Sequence, residues 1–250
     1  MISLAARRYP GLAMRPALFL FALLMPLVLL AGCRQQGEWF LLEGVALGTG
    51  YHITLNGDLG EGESALVEAA IQGELVSLDS ELAFLRRLVT PSLLPLPGAQ
   101  VPDAASEALR EHLQVLAVDR LFRVLDEFGI ANAMVELGGV QRARGMAGRH
   151  PWRVRLPRSG AGEAETHALR LQDAALVHRA VPEPAAIEAA GRVLAVSAVA
   201  PSAEAADRLA RELLAAAPDD TLEHPARLVV LTPQGIEIHT GSALEPLLDR

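Results

Sequence analysis

The spacing of apolar residues predicts a long helix in the middle of the chain. Over residues 104–128, apolar positions that include Ala117, Leu121 and Phe128 recur every three or four residues and form one stripe. A single helix of about 25 residues is long for a globular protein. A break near residues 111–114 is therefore the alternative to one continuous helix.

Two further helices are predicted on either side of this one. Residues 64–82 repeat the apolar spacing after Ser64, and residues 202–216 repeat it after Ser202. A serine hydroxyl can accept a hydrogen bond from a free N–H of the first helical turn, so both serines are candidate N-caps. The tail, residues 244–248, is long enough for a helical turn only.

Short apolar or alternating runs between glycine- and proline-rich segments predict strands. Residues 40–55 form either two strand pieces or one strand bent at Gly48-Thr49-Gly50. The other predicted strands are residues 130–137, 152–156 and 193–200, one or two strands within 168–177, and a hairpin formed by 228–231 and 236–240. Strands and helices do not alternate regularly, so we expect an α+β fold with mixed or antiparallel strands and two or three long helices.

Glycines mark the end of the central helix and of the strand after it. Gly129 stands where a helix commonly ends in the left-handed conformation. Gly138 and Gly139 follow the predicted strand 130–137 directly. A glycine pair allows a tight turn, and it also allows the backbone to approach a bound molecule closely. Both readings stay open from the pair alone.

The first 33 residues have the pattern of a lipoprotein signal. Arg7, Arg8 and Arg15 are followed by the apolar residues 16–30 and by Leu-Leu-Ala-Gly before Cys33. This resembles a bacterial lipobox, in which the cysteine is lipidated and becomes the first mature residue. The alternative is a buried cysteine at the end of a membrane helix.

The predicted organisation follows from that signal. Residues 1–32 form the signal peptide, residues 33–39 a lipidated tether, and residues 40–250 the folded domain. We expect the protein to be lipid-anchored on the periplasmic side of a bacterial envelope. Arg34 in place of an aspartate favours the outer membrane, and the inner membrane stays open.

Composition removes several function classes. The chain has 250 residues, 51% of them hydrophobic, and a formal net charge of -8. An acidic chain of this kind is unsuited to nucleic-acid binding, which needs a clustered basic surface. All 22 basic residues are arginine, so there is no lysine for a Schiff base or a P-loop. The single cysteine excludes an intramolecular disulfide, and its predicted lipidation leaves no thiol nucleophile in the domain.

The remaining candidate chemistry is sparse. The seven histidines lack metal-ligand spacing, and neither a Gly-x-Ser-x-Gly elbow nor a Rossmann glycine motif is present. Asp207 lies in the first turns of the predicted helix 202–216. It is either a surface acid that favours a helix N-terminus or an oxygen ligand for Mg²⁺.

Six stretches in order resemble one family, the FAD:protein FMN transferases or ApbE family. They follow the lipobox and are residues 44–49 (GVALGT), 77–82 (SLDSEL), 117–120 (AVDR) with Gly129-Ile130, 135–145 (VELGGVQRARG), 152–154 (WRV) and 197–207 (SAVAPSAEAAD). The resemblance implies an ApbE-like, T-fold-related domain. It also implies a Mg²⁺-dependent enzyme that splits FAD and attaches FMN to a Ser or Thr of a redox-complex subunit in the membrane.

The resemblance also implies site residues, carried over position by position. The implied cofactor-binding residues are Leu47, Gly48, Thr49, Asp119, Glu136, Gly138 and Gly139. Asp207 is the implied Mg²⁺ ligand and Cys33 the lipidated residue. The implied partners are a flavin nucleotide, the acceptor protein and the membrane that holds the lipid anchor. No catalytic residue is implied.

The chain departs from the family at the expected flavin and metal positions. Gln114-Val115-Leu116 stands in place of Lys-Gly-Tyr, and Glu111 stands where an Ala or Gly supplies a metal ligand. Arg211 replaces a metal-binding Thr. A guanidinium cannot coordinate Mg²⁺, so we expect Arg211 to pair with Asp207 at i+4 or with an anionic group. The family's long middle segment and the segment expected after His178 are missing.

These departures leave two functions open. The first is an FMN transferase with reduced or altered activity. The second is a catalytically inactive, lipid-anchored protein that binds a flavin or another protein on the same fold. The departures also leave open whether Mg²⁺ and FAD are still used.

Overall fold

The structure is a computed structural model that describes residues 37–92, 103–156, 168–181, 191–216 and 223–249. These residues belong to one compact unit, Gly37–Arg250. Cys33 and the predicted signal peptide lie outside the described residues, so the signal, the lipidation and the domain boundary stay predictions. No helix in the described ranges is both long enough and apolar enough to span a membrane.

The described residues contain three α-helices, eleven strands and one 3-10 turn. The helices are α1 (Glu61–Ser92), α2 (Asp103–Glu127) and α3 (Ala203–Ala215), and the 3-10 turn is Glu245–Leu247. The strands are β1 (Glu38–Ala46), β2 (Thr49–Gly57), β3 (Ala133–Leu137), β4 (Val140–Arg144), β5 (Trp152–Arg155), β6 (Ala168–Leu171), β7 (Ala174–Ala180), β8 (Arg192–Ala200), β9 (Ala226–Thr232), β10 (Gly235–Thr240) and β11 (Leu248–Asp249).

The strands form two antiparallel sheets. The larger sheet has eight strands in the order β1-β2-β3-β4-β7-β8-β9-β10, and the smaller has three in the order β11-β6-β5. Every neighbouring pair is antiparallel. The predicted α+β fold class is confirmed.

The large sheet is covered on both faces because both carry apolar side chains. On one face, α1 and α2 pack against β2, β3 and β4 through a large core cluster that includes Ile71, Leu121 and Ile53. On the other face, the small sheet packs Trp152 and Leu169 against β4, β7 and β8. Helix α3 packs on β8 and β9 through a separate cluster.

Helix α1 confirms the predicted stripe but not the predicted ends. Val67, Ile71 and Leu75 are buried, as expected. The helix begins three residues before Ser64, because Gly60 accepts hydrogen bonds from the N–H groups of Glu63 and Ser64 and so starts the first turn. The N-cap predicted at Ser64 is therefore wrong.

Helix α2 is continuous through residues 111–114, so the alternative of two helices is wrong. Leu121 and Leu125 are fully buried in the stripe. Phe128 is 36% exposed, because the helix ends at Glu127 and Phe128 no longer follows its periodicity. Gly129 has a φ of 66° and donates to the carbonyl of Asp126, as a helix-terminating glycine does.

Two tight hairpin turns lie side by side at one end of the large sheet. Leu47 and Gly48 join β1 to β2 with φ values of 51° and 74°, and Gly138 and Gly139 join β3 to β4 with φ values of 59° and 80°. Two consecutive positive φ angles are typical of type I′ turns. Residues 40–55 are thus two strands, and β4 is a further strand that the sequence pattern did not predict.

Gln114 of α2 joins these two turns. Its side chain is buried, and its Nε2 donates to the carbonyl oxygen of Leu47 at 3.3 Å. A Cβ atom added to Gly138 would lie 2.5 Å from Cδ of Gln114, so the buried Gln114 side chain would have to shift. The carboxylate of Asp79 in α1 accepts from the Leu47 N–H at 2.8 Å. Helix α2 therefore contacts both turns, and α1 also bonds to the first of them.

The two turn glycines differ in what surrounds them, which gives a matched pair of variants. Gly139→Ala has open space around its new Cβ and is strained only by its positive φ, at a cost of roughly 1–2 kcal/mol. Gly138→Ala carries the same strain and also overlaps Gln114. We expect Gly138→Ala to lower the free energy of unfolding by about 2 kcal/mol more than Gly139→Ala in urea titrations.

A third variant tests the steric overlap between the new Cβ atom at position 138 and the Gln114 side chain. Adding Gln114→Ala to Gly138→Ala removes the side chain that meets the new Cβ, so the double variant should be more stable than additivity of the single changes predicts. Equal destabilisation by the two glycine substitutions would show that Gln114 does not constrain the turn.

Candidate functional site

A cavity of about 460 Å³ lies where the two hairpin turns meet the first half of α2 and the end of β7. The turns contribute Gly48, Thr49, Gly138 and Gly139. Helix α2 contributes Glu107, Arg110, Glu111 and Gln114, and the end of β7 contributes His178, Arg179, Ala180 and Val181. Charged side chains therefore face a wall of glycine backbone.

Four of the predicted cofactor-binding residues line this cavity together. Gly48, Thr49, Gly138 and Gly139 come from two separate hairpins and meet because β2 pairs with β3. Leu47 belongs to the same turn but is fully buried, with its N–H and carbonyl bonded to other side chains.

The other two predicted residues lie elsewhere. Asp119 accepts hydrogen bonds at 3.0 Å from the N–H groups of Ala203 and Glu204, and one at 2.6 Å from Arg142. It therefore stabilises the N-terminus of α3. Glu136 is half-buried in β3, where its neighbours across the sheet are His52 and Gln141. Cofactor binding by Asp119 and Glu136 stays a prediction.

Four charged side chains form an ion-pair network at one side of the cavity. Arg179 Nε donates to Oδ1 of Asp207 at 2.6 Å, and Arg211 Nε donates to Oδ2 of Asp207 at 2.9 Å. Glu111 Oε2 lies 3.8 Å from Nε of Arg179 and 3.6 Å from Nη2 of Arg211. We call these four residues the Arg–acid network. The predicted pairing of Arg211 with Asp207 is confirmed.

The residues present do not fit Mg²⁺. The ion binds oxygen ligands in a tight octahedron at about 2.0–2.1 Å. Both carboxylate oxygens of Asp207 instead accept from guanidinium groups. Within the described residues, no three His, Cys, Asp or Glu side chains are close enough together to hold a metal ion. A metal at this position would have to displace two cations.

Arg179 lines the cavity but is not among the site residues predicted from the sequence. It shares one face of β7 with the buried residues Ala175 and Val177, so its side chain points towards the helices and is only 7% exposed. An arginine at an inward position of an alternating strand needs a buried acidic partner. That alternation is visible in the sequence, and it could have indicated Arg179.

His178 contributes a neutral ring to the cavity. It is half-buried, and its Nδ1 shares a hydrogen bond of 3.0 Å with the buried hydroxyl of Ser197 in β8. Burial, and then the positive charge of Arg179, lower the pKa of His178 below its usual value of 6.5. Both effects favour the neutral form of the imidazole.

The fold is similar to solved flavin transferases. Flavin transferase ApbE from Vibrio cholerae is 19% identical, with a TM-score of 0.64, over 84% of this chain and 99% of that one. The flavinyl transferase ApbE of Pseudomonas stutzeri in its apo form is 16% identical, with a TM-score of 0.58, over 86% and 98%. The ApbE protein of Thermotoga maritima is 16% identical, with a TM-score of 0.56, over 85% and 100%.

The sequence itself matches a known family. Residues 114–229 match the sequence model of the ApbE family, and this range contains the β3–β4 turn, His178, Arg179 and α3. No curated protein matches the chain. The predicted resemblance to the ApbE family is confirmed by this match and by the similar fold.

Proposed function

We propose that the cavity binds the flavin nucleotide FAD and that the protein acts on it as a flavin transferase. The observation that carries this proposal is the cavity where two glycine turns face the buried cation Arg179. Its volume of about 460 Å³ falls within the range of roughly 300–1,000 Å³ that is usual for ligand sites. The similar solved proteins are named as flavin transferases.

The glycine turns and the arginines suit different parts of a dinucleotide. Gly48, Gly138 and Gly139 have no side chains, so a ribose or a phosphate can approach the backbone closely. Arg110 and Arg179 line the same cavity, and guanidinium groups bind phosphate oxygens with two parallel hydrogen bonds. We place the phosphates of FAD between these two sets of residues.

The proposed reaction is FMN transfer to a protein hydroxyl. The oxygen of a Ser or Thr in the acceptor attacks the phosphorus of the FMN half of FAD. A new phosphoester bond forms, the bond from that phosphorus to the bridging oxygen breaks, and AMP leaves with the electron pair while the hydroxyl proton passes to solvent. We propose a redox-complex subunit at the membrane as the acceptor.

A second candidate function is flavin binding without transfer. The specific observation in its favour is the engagement of both Asp207 oxygens by arginine, which leaves Asp207 without a free oxygen for the Mg²⁺ on which the family's reaction depends. Gln114, in the position of the family's lysine, is buried and bonded to Leu47, so it offers no charge to a ligand.

We further propose that the protein is anchored by lipid at Cys33 and faces the periplasm. The support is the lipobox-like sequence with small residues before Cys33 and the lack of any other cysteine in this sequence. A lipid anchor would keep the cavity close to an acceptor in the membrane. Arg34 favours the outer membrane as the location.

The proposed binding of FAD can be measured directly. We expect the full-length protein, purified in detergent, to bind one FAD per chain in isothermal titration calorimetry. Arg110→Ala should weaken this binding about fivefold or more, because it removes a cation from the cavity wall. Arg123→Ala, an exposed position on the same helix, is the matched control and should leave the affinity unchanged.

The same preparation separates the two functions. After incubation with FAD and a partner protein that carries an exposed Thr, covalent flavin is detected by its fluorescence in a denaturing gel. Labelled partner supports transfer, and bound FAD without labelling supports the second candidate. Absence of FAD binding contradicts both.

The half-buried His178 makes the stability of the folded protein depend on pH. Its pKa is lowered in the folded state, so the unfolded chain binds more protons below pH 6.5 and stability falls as the pH falls. We expect the free energy of unfolding to drop between about pH 7 and pH 5, and His178→Gln to reduce that slope. His112→Gln, at an exposed position, should not change it. Equal slopes for the two variants would contradict a buried neutral His178.

A further inference from the structure

The four charges of the Arg–acid network come from three elements and balance one another. Glu111 belongs to α2, Arg179 to β7, and both Asp207 and Arg211 to α3. Two carboxylates therefore face two guanidinium groups. The side chains of Arg179 and Asp207 are 7% and 9% exposed, and a buried charge without a partner would be strongly destabilising.

Two residues of the network differ from those that the resemblance to the family implies, and their side chains are neighbours in the fold. Glu111 stands where the resemblance implies an Ala or Gly, and Arg211 stands where it implies a metal-binding Thr. These positions are a hundred residues apart in the sequence, yet the two side chains lie 3.6 Å from each other. Relative to the residues that the resemblance implies, Glu111 adds a carboxylate and Arg211 adds a guanidinium. The two changes therefore compensate each other in charge.

The network also has a free donor at the cavity. Arg179 uses Nε for Asp207 and Nη1 for the carbonyl oxygen of His178, at 3.2 Å. Its Nη2 is buried and has no hydrogen-bond partner among the described residues. Arg179 lines the cavity, so an anionic group bound there is the natural acceptor for this N–H group.

We propose that the guanidinium groups of Arg179 and Arg211 stand in place of a divalent cation and let this site bind the diphosphate of a nucleotide without metal. This inference rests on the proposed binding of FAD in the cavity. Arg179 contacts the phosphate through Nη2. Arg211 is a positioning residue: it holds Asp207 and Glu111 neutralised, so that their charges do not repel the phosphate.

The charge balance predicts what happens when Arg211 is lost. In Arg211→Thr, two carboxylates face only Arg179, and the site gains one net negative charge beside the phosphates. The substitution also frees Oδ2 of Asp207 and adds a hydroxyl oxygen, both of which are suitable ligands for Mg²⁺. The variant should therefore bind FAD weakly in EDTA and recover affinity when Mg²⁺ is added.

The test is calorimetric titration of FAD into the full-length protein in detergent, with excess MgCl₂ or with EDTA. The native protein should show the same dissociation constant in both buffers, within about twofold. Arg211→Thr should bind about tenfold more weakly in EDTA and recover with Mg²⁺. Arg208→Thr, an exposed arginine on the same helix, is the matched control and should behave as the native protein does.

A double variant separates charge balance from simple structural damage. Arg211→Thr combined with Glu111→Ala removes one charge of each sign and should regain FAD binding in EDTA. A purely structural role of Arg211 would leave the double variant at least as weak as the single one. That result, or a native protein that binds FAD at least tenfold more tightly with Mg²⁺, would overturn the inference.

Direct metal binding distinguishes this inference from the proposed function. Mn²⁺ is titrated into the flavin-free protein and followed by electron paramagnetic resonance. We expect no binding that depends on Asp207. If the native protein binds one Mn²⁺ that Asp207→Asn abolishes, the inference fails even if FAD binds. If no FAD binds and no such Mn²⁺ site exists, the proposed function is wrong, and the conclusion that Asp207 holds no metal ion is still supported.

Discussion

The buried amide of Gln114 is the contact on which the arrangement of the site depends. It donates to the carbonyl of Leu47 in one hairpin turn and packs against Gly138 in the other. It thereby sets the position of α2 against the large sheet. Glu111 lies one turn earlier on the same helix, so the contact that joins the turns also places Glu111 beside Arg179 and Arg211. A shift of α2 would disturb the cavity and the ion pairs together.

The ion pairs explain how the site can differ from the family while the fold persists. A divalent cation and a pair of guanidinium groups both neutralise carboxylates, but they need different surroundings. The cation needs several free oxygens at short distance, whereas arginine needs carboxylates at hydrogen-bond distance and shielding from water. Asp207 is 9% exposed and meets two guanidinium groups, so this chain satisfies the second condition. Two guanidinium groups and two carboxylates therefore balance in charge at this site.

Sequence periodicity predicted most elements because their apolar faces are regular. Val67, Ile71 and Leu75 are buried on α1 as their spacing indicates, and Ser202 accepts from Ala205 as the N-cap of α3. The errors lie where local signals compete. Ser64 has the side chain of an N-cap, but Gly60 starts the helix earlier. Strand β4 was missed because its two arginines interrupt the apolar pattern, although both side chains make ion pairs with α2.

Four of the cofactor residues that the resemblance implied lie together at the cavity, because the two hairpin turns that carry them are neighbours in the sheet. No sequence pattern indicated that Asp119 lies away from these four residues. Its contacts are with the N-terminus of α3, more than eighty positions later, and no local pattern records such a partner.

The sequence by itself determined the α+β class, the buried stripe of α1, the N-cap of α3 at Ser202 and the position of Arg211 at i+4 to Asp207. These features depend on residues close in the chain, so apolar periodicity and short-range spacing are sufficient to predict them. Only the tertiary structure decided that Glu111, Arg179 and Asp207 meet. They come from three elements separated by up to about a hundred residues, and their contact exists only once α2, β7 and α3 have packed against one sheet.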